Sequence, residues 1–474
     1  MTNSAAVKKE KIDVFFSVLV NIFTLLVSVL LGFFIPRFLS VETYSNYRTY
    51  CLYSSYVGIF HLGFINGIYL KYGSFDYKDL PKSRFRTYTL LLVVSQVIVQ
   101  IVLIGTLIIV KGITGLISPF LFVVIIVFFS NINIYFTLIN QFTKRFRLDM
   151  LIQLFQNVIM AIGFSLLLFK KVDNYIPYLV IVVISNIFAL IVSLIFNTEL
   201  FLGKINDYKG IFKETIERIS CGFPIMIGEF MGIFIVTIDV LIVNLFFSII
   251  HFSIYSFAYS VITFLFQLTA VIAKFIFPYL KRMPFEKQKK MYDQIKLYIL
   301  VFSSMVAGLS LLFGLIIPWL IPKYADSVNI VKILGISVII RGVQELVCGN
   351  FFKALNNVKA FAKVYVFALV LAVTSDIIAF LVFGTTTAIA IASVITFCLW
   401  YLVSDIILQR KMEISNMLSN GFMLITIAVY CICSIVPALI GILAYFAYIT
   451  ILTVYILKRH PLLKIISSND IHSL

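Results

Sequence analysis

Residues 88–110 read YTLLLVVSQVIVQIVLIGTLIIV, with no charged side chain among them. A helix rises about 1.5 Å per residue and crosses the hydrocarbon core of a bilayer with about 20 apolar residues. The stretch therefore predicts one complete transmembrane helix. Its flanks are unequal: Lys82, Arg84 and Arg86 precede it, and Lys111 alone follows it closely. Working outward in both directions, the same apolar length recurs. Fourteen segments qualify, at 14–36, 49–70, 88–110, 116–138, 149–169, 177–197, 220–246, 252–276, 295–317, 329–352, 361–383, 386–408, 420–440 and 442–457. Gly441 is nearly the only boundary between the last two.

Composition agrees with that reading. Of the 474 residues, 61% are hydrophobic and 12% charged, against roughly 25% charged residues in a soluble domain. Mean hydropathy is +1.06. These values exclude a soluble enzyme, a nucleic-acid binder and a disordered scaffold, and point to an all-α integral membrane protein. The polar N-terminus leads into an apolar run too long for a signal-peptide core, so that run is read as a retained first helix. The six cysteines lie in or beside apolar stretches, without the spacing of a disulfide framework or a zinc site.

The excess of 38 Lys and Arg over 21 Asp and Glu gives a formal net charge of +17. Sorting the cations by loop explains it. One side of the membrane collects only Arg37, Arg48, Lys111, Lys170, Lys171, Lys323 and Lys332. Lys274 and Arg341 fall inside helices, and the other 29 collect on the opposite side. The positive-inside rule then places both termini in the cytoplasm. Nucleic acid is not expected as a partner.

The chain also repeats. Phe38-Leu39-Ser40-Val41-Glu42-Thr43-Tyr44-Ser45-Asn46-Tyr47 matches Phe246-Phe247-Ser248-Ile249-Ile250-His251-Phe252-Ser253-Ile254-Tyr255 at an offset of 208. A weaker echo joins Lys144-Arg145-Phe146 to Lys359-Ala360-Phe361. Six helices per copy is an even number, so the copies share an orientation. The expectation is an N-terminal six-helix lobe at 1–198 and a second at 199–411, related by a pseudo-two-fold along the membrane normal. Two further helices and a cytoplasmic tail fill 412–474.

The seventh segment opens Cys221-Gly222-Phe223-Pro224, carries Asp239 in its middle, and leads to a Tyr255-Ser256-Phe257-Ala258-Tyr259 turn. The eighth closes on Phe277-Pro278-Tyr279-Leu280. With Ile35-Pro36-Arg37-Phe38 after the first segment, this run resembles the polysaccharide flippases of the Wzx type, in the multidrug/oligosaccharidyl-lipid/polysaccharide exporter superfamily. That family follows its mid-helix Asp with Arg. Here Val240 follows Asp239, so no Asp-Arg role is carried over. The resemblance implies flipping of undecaprenyl-diphosphate-linked oligosaccharide repeat units across the bacterial cytoplasmic (inner) membrane by alternating access. It also implies contact with membrane lipids and with polysaccharide polymerase and assembly proteins.

Charges inside helices are the candidate functional groups, because a charge at mid-bilayer costs about 2.5–3.5 kcal/mol on insertion scales. They are Glu229, Asp239, Lys274, Arg341, Glu345, Asp376 and Asp405. Counting from the connecting turns puts Glu229 level with Lys274 and Arg341 level with Asp376. Arg341 and Glu345 are i, i+4 on one helix. These groups either tie helices together as ion pairs or line a polar cavity, where Lys274 and Arg341 would meet a diphosphate. Glu229, Asp239, Glu345 and Asp376 are then charge partners or ion-coupling groups. Arg37 and Arg48 stand at the outer ends of the first two segments, as interfacial anchors or as cations that receive the diphosphate outside. Tyr44, Tyr47, Tyr50, Tyr53 and Tyr56 form a series at the same end. The first members fit an aromatic belt, and Tyr53 and Tyr56 run deep enough to contact sugar. His61 nearby is a packed histidine or a proton-coupling group.

No G-x-x-x-x-G-K-[ST] motif, metal-ligand pattern or nucleophile elbow occurs. No cofactor, metal or catalytic residue is therefore expected. An ion-coupled multidrug or small-molecule antiporter is the alternative transporter. A membrane polysaccharide polymerase is disfavoured by the short outer loops. In a background lacking the native cysteines, Cys at positions 171 and 323 should react with an impermeant maleimide in intact cells. Cys at 209 and 287 should react only after permeabilisation; labelling of 209 from outside refutes the topology.

Overall fold

A computed structural model describes residues 20–459 except 21, 30, 113, 114, 116, 117, 206–208 and 415–417. The side chains of 270–279, 282 and 358 also lie outside the described residues. The start of the first segment and the tail after 459 fall beyond that description. Helices α1–α7 are Ile22–Phe38, Val41–Ser54, Phe64–Tyr72, Lys82–Lys111, Pro119–Phe142, Phe146–Phe169 and Tyr175–Phe196. Helices α8–α11 are Ile211–Phe246, Ile249–Arg282, Phe285–Leu320 and Ser327–Val343. Helices α12–α16 are Gly349–Ala354, Val358–Phe383, Thr386–Met412, Leu418–Ile435 and Ala438–Arg459. No strand occurs among the described residues. Among the described residues eleven helices are long and apolar enough to cross a membrane, against fourteen expected segments, and the protein is an all-α membrane protein.

Two expected continuous spans are interrupted. Segment 49–70 becomes α2, a 3₁₀ turn at Val57–His61, and α3. Segment 329–352 becomes α11, a π turn at Gln344–Cys348, and α12. The last boundary also differs from expectation. The chain breaks at Val436–Pro437, because proline ends a helix and can start the next. Gly441 lies inside α16, where a Cβ would strike the Cys433 carbonyl, so it sets a close approach of α15 and α16.

The chain divides into two compact units, Met1–Thr237 and Ile238–Leu474, inside α8. The expected lobe boundary at 198/199 lies ahead of that helix. The N-terminal part of α8 packs against α3 through glycines. A Cβ at Gly67 would overlap the Arg218 carbonyl, and one at Gly222 would overlap that of Gly63. Glu214 on the first turn of α8 secures the crossing. It receives hydrogen bonds from Lys71 Nζ at 2.5 Å, from Arg84 and from the Tyr88 hydroxyl.

The two copies of the repeat share a local structure. Ser40 (ψ 159°) caps α2 by accepting from the Thr43 N–H, and Ser248 (ψ 159°) caps α9 by accepting from the His251 N–H. A side-chain oxygen at this position satisfies one of the first N–H groups of a helix. Tyr47 and Tyr255 follow each cap by seven residues and both are buried. Their helices then diverge: α2 stops at Ser54, while α9 runs to Arg282.

In the second unit a buried ion pair joins α10, α14 and α15. Lys296, expected among the loop cations, is 1% exposed and lies 2.7 Å from Asp405, also 1% exposed. Asp405 also accepts from Tyr292, Gln409 and Asn420, and Lys296 donates to Asn420 Oδ1 at 3.0 Å. Removing one member of such a pair typically costs about 3–5 kcal/mol, whereas replacing both with apolar groups is often neutral. Lys296→Met alone should therefore lower the unfolding temperature in detergent sharply. The double variant Lys296→Met/Asp405→Leu should recover most of the loss.

Candidate functional site

The interruption of the second span builds the site. After Ser54 the chain tightens into the 3₁₀ turn, and Leu62 (φ 51°) and Gly63 (φ 80°) then take left-handed conformations that redirect it into α3. Leu62 bears a Cβ, so its conformation is held by its surroundings rather than by intrinsic preference. A helix break inside a bilayer frees backbone carbonyls that have no water to bind. Here Val57 O accepts from Asn131 Nδ2 and Phe60 O from Gln96 Nε2, each at 3.2 Å. Asn131 also donates to Gln96 Oε1 at 2.8 Å. Both amides are fully buried. They come from α5 and α4, so the break is fixed by its neighbours. His61 is buried, and its Nδ1 accepts from the Gly63 N–H at 3.1 Å.

Beside this break, α2, α3, α5, α6, α7 and α8 enclose a cavity of about 510 Å³. Six side-chain amides line it: Asn66, Asn133, Gln141, Gln153, Gln156 and Asn186. Ser130, Thr137, Tyr56 and His61 add hydroxyl and imidazole groups, and Glu229 is its one charged lining residue. Asn66 Nδ2 lies 3.3 and 3.4 Å from the two Glu229 oxygens. The Tyr56 hydroxyl bonds Thr237 at 2.7 Å, and its ring packs on Phe230 and Phe234. A concave, polar-lined cavity of this size is the candidate ligand site of the first unit.

The second unit holds a different constellation. Asp239 is buried and accepts from the Tyr255 hydroxyl at 2.7 Å, the Ser393 hydroxyl at 3.2 Å and the Val240 N–H at 2.7 Å. Asp376, 1% exposed, has no hydrogen-bond partner at either oxygen and feels the charge of Asp239. Neither makes an ion pair among the described residues. A buried carboxylate without a cation is costly to place in an apolar interior, which makes Asp239 and Asp376 the candidate ion-coupling groups of the second unit.

Against this geometry we compared known proteins. No protein-family model and no curated protein matches the sequence. Solved structures do match. "Lipid II flippase MurJ, inward closed conformation" aligns with a TM-score of 0.64 and 12% identity, over 94% of this chain and 99% of that one. An inward-facing multidrug resistance MATE family transporter of the MOP superfamily aligns with a TM-score of 0.56 and 11% identity, over 83% and 94%. The chain shares the fold of these two structures.

The expected site residues are distributed as follows. Tyr56, Glu229 and His61 meet at the cavity of the first unit. Tyr53 instead packs on Phe120 at 4.9 Å, and Tyr44, Tyr47 and Tyr50 are buried between helices rather than exposed as a belt. Arg37 is exposed at the end of α1, and Arg48 is half-buried on α2. Arg341 bonds Glu345 at 2.5 Å, as i, i+4 spacing allows, and lies 3.9 Å over the Phe266 ring. Asp376 therefore lacks the arginine partner that depth counting suggested. Lys274 is carried on α9, but its side chain lies outside the described residues. Sequence reasoning missed the six lining amides and the Gln96–Asn131 clamp. Polar amides within otherwise apolar segments were their only signal. Asn131→Leu leaves the Val57 carbonyl and Gln96 Oε1 without their donor, at about 1–3 kcal/mol for each group. Thermal unfolding should register that loss, while Asn133→Leu, on the cavity wall, should cost much less.

Proposed function

We propose that this protein is a flippase. It would carry undecaprenyl-diphosphate-linked oligosaccharide repeat units from the cytoplasmic to the outer face of the bacterial inner membrane by alternating access, with both termini cytoplasmic. The observation that carries the reading is the amide- and hydroxyl-lined cavity of the first unit. Sugars are recognised through many hydrogen bonds, and side-chain amides supply them without the desolvation cost of charges. The shared fold with MurJ, whose name states a lipid-linked cargo, is consistent with it.

The diphosphate is a separate problem, since no Lys or Arg among the described residues lines that cavity. We assign it to Arg341 and Lys274 in the second unit, with Arg48 and Arg37 receiving it on the outer side. Arg341 is already paired with Glu345, so an incoming phosphate would replace one anionic partner by another. Asp239 and Asp376 supply ion coupling, their occupancy by a proton or cation changing with the conformation. Polymerase and assembly proteins would take the delivered units.

A second reading is favoured by one observation. The Glu229 carboxylate lies beside Tyr56 and Phe230 in a wall without Lys or Arg, a setting that suits an organic cation and hence an antiporter. Export assays separate the two. Arg341→Gln and Lys274→Gln, singly and together, should leave membrane abundance near normal and abolish surface polysaccharide. Normal abundance with normal polysaccharide in the double variant refutes the diphosphate role. Unchanged polysaccharide with altered drug susceptibility in a deletion strain would establish the antiporter instead.

A further inference from the structure

A second cavity of the first unit, of about 460 Å³, lies between α1 and α6. Leu31, Phe34 and Phe38 of α1 and Phe164, Leu168 and Phe169 of α6 form most of its wall, and Lys171 is its one charged lining residue. The two helices are tied together beyond each end of it. On one side Asn157 Nδ2 donates to Thr24 Oγ1 at 2.9 Å, while the Thr24 hydroxyl donates to the Val20 carbonyl. On the other, the Ser40 N–H just after α1 donates to Asp173 Oδ1 just after α6, at 2.9 Å. The floor is fixed as well, since the Phe164 ring is fully buried and edge-on to Tyr47 and Tyr178. The remaining side is open, with Phe34, Phe38 and Phe169 exposed along it. From residue 161 to 169 the lining follows α6 for about 12 Å. That is close to one leaflet, about half of the roughly 30 Å hydrocarbon core.

We propose that this groove binds an anionic phospholipid, its acyl chain lying along the groove and its phosphate on Lys171. The inference goes beyond the flippase reading and does not depend on the cargo. An apolar gap left empty forfeits dispersion contacts on both walls, and hydrocarbon is what a bilayer supplies to fill it. The charge at its end selects the headgroup. α6 closes in a turn in which the Lys171 N–H bonds the Leu168 carbonyl and the Val172 N–H the Leu167 carbonyl, both at 3.0 Å, and Lys171 is left-handed (φ 53°). Glycine is the usual residue at that position; here a lysine takes it and stands at the mouth of the groove. Lys171 and its neighbour Lys170 are exposed, and Lys171 makes no ion pair among the described residues. A cation beside an anionic lipid is worth about 1 kcal/mol, which is about fivefold in a binding constant.

The test uses the full-length protein in vesicles of phosphatidylcholine and phosphatidylglycerol, one of the two carrying dibrominated acyl chains that quench tryptophan on contact. A Trp319→Phe background leaves only Trp400, which is buried and gives a constant signal. In it, Phe169→Trp reports on the groove and Ile109→Trp on an open helix surface. Ile109 is exposed on α4 and, like Phe169, lies two residues before a lysine, Lys111. Phosphatidylglycerol should be preferred about fivefold at Phe169→Trp and less than about twofold at Ile109→Trp. Lys171→Gly, which suits the left-handed turn, should bring the groove preference below about twofold at an unchanged unfolding temperature, and Lys171→Arg should keep it. If the glycine variant unfolds, Lys171→Gln takes its place. Ser165→Phe, which fills the middle of the groove, should also abolish the preference although the lysine remains. Equal quenching by the two lipids at Phe169→Trp overturns the proposal. So does a preference that survives loss of the lysine or filling of the groove, or that is as large at Ile109→Trp. Polyprenyl phosphate at about one-hundredth of the phosphatidylglycerol should leave the quenching by the brominated phosphatidylglycerol unchanged. If it relieves that quenching, the groove takes the carrier lipid instead and the proposal falls.

Discussion

Inside a bilayer a backbone carbonyl without a donor has nowhere to turn, and an unmade hydrogen bond there costs several kcal/mol. The first unit is organised around meeting that constraint at one place. The second span breaks between Ser54 and Phe64, and the carbonyls it frees are taken by Gln96 and Asn131. Because those amides are anchored on α4 and α5, the break is as rigid as the helices around it. Three polar groups of the cavity are set by this break. Tyr56 precedes the 3₁₀ turn, His61 ends it and Asn66 follows it. The glycine crossing with α8 then brings Glu229 within reach of Asn66.

The second unit handles charge in two opposite ways. Lys296 and Asp405 neutralise each other and are surrounded by donors and acceptors that satisfy the remaining valences. That arrangement ties α15 to α10 and α14, and its desolvation cost is met by partners on every side. Asp239 and Asp376 have no such cation among the described residues. Asp239 is held by three donors, and Asp376 by none. A buried ion pair is a fastening, whereas an uncompensated pair of carboxylates is a place whose occupancy can change. The contrast underlies the proposed division of labour, in which Asp405 belongs to architecture and Asp239 with Asp376 would serve coupling.

The internal repeat shows how one sequence pattern leads to different ends. Ser40 and Ser248 cap their helices in the same way, and the tyrosine seven residues on is buried in both. Beyond that point the first copy meets Gly58 and Gly63, which weaken a helix, and the second continues through Ala258, Val261 and Leu265. A short match thus fixes the entry into each helix and says nothing about where the helix stops.

That the chain is an all-α membrane protein built from long apolar helices was legible from the amino-acid sequence, because burying about 20 apolar residues in lipid is a local requirement. The i, i+4 pairing of Arg341 with Glu345 was legible for the same reason. The break at 57–63 was not: its stability comes from Gln96 and Asn131, which are distant in sequence. Nor was Lys296 recognisable as the partner of Asp405, 109 residues away, since a lysine near a helix end reads like any loop cation. The cavity is the plainest case. Its six amides are scattered from residue 66 to 186, each unremarkable in its own helix. Hydrogen-bond donors and acceptors act only over contact distance, so which amide ends face the ligand is decided by the packing of six helices and by nothing that can be read from any one of them.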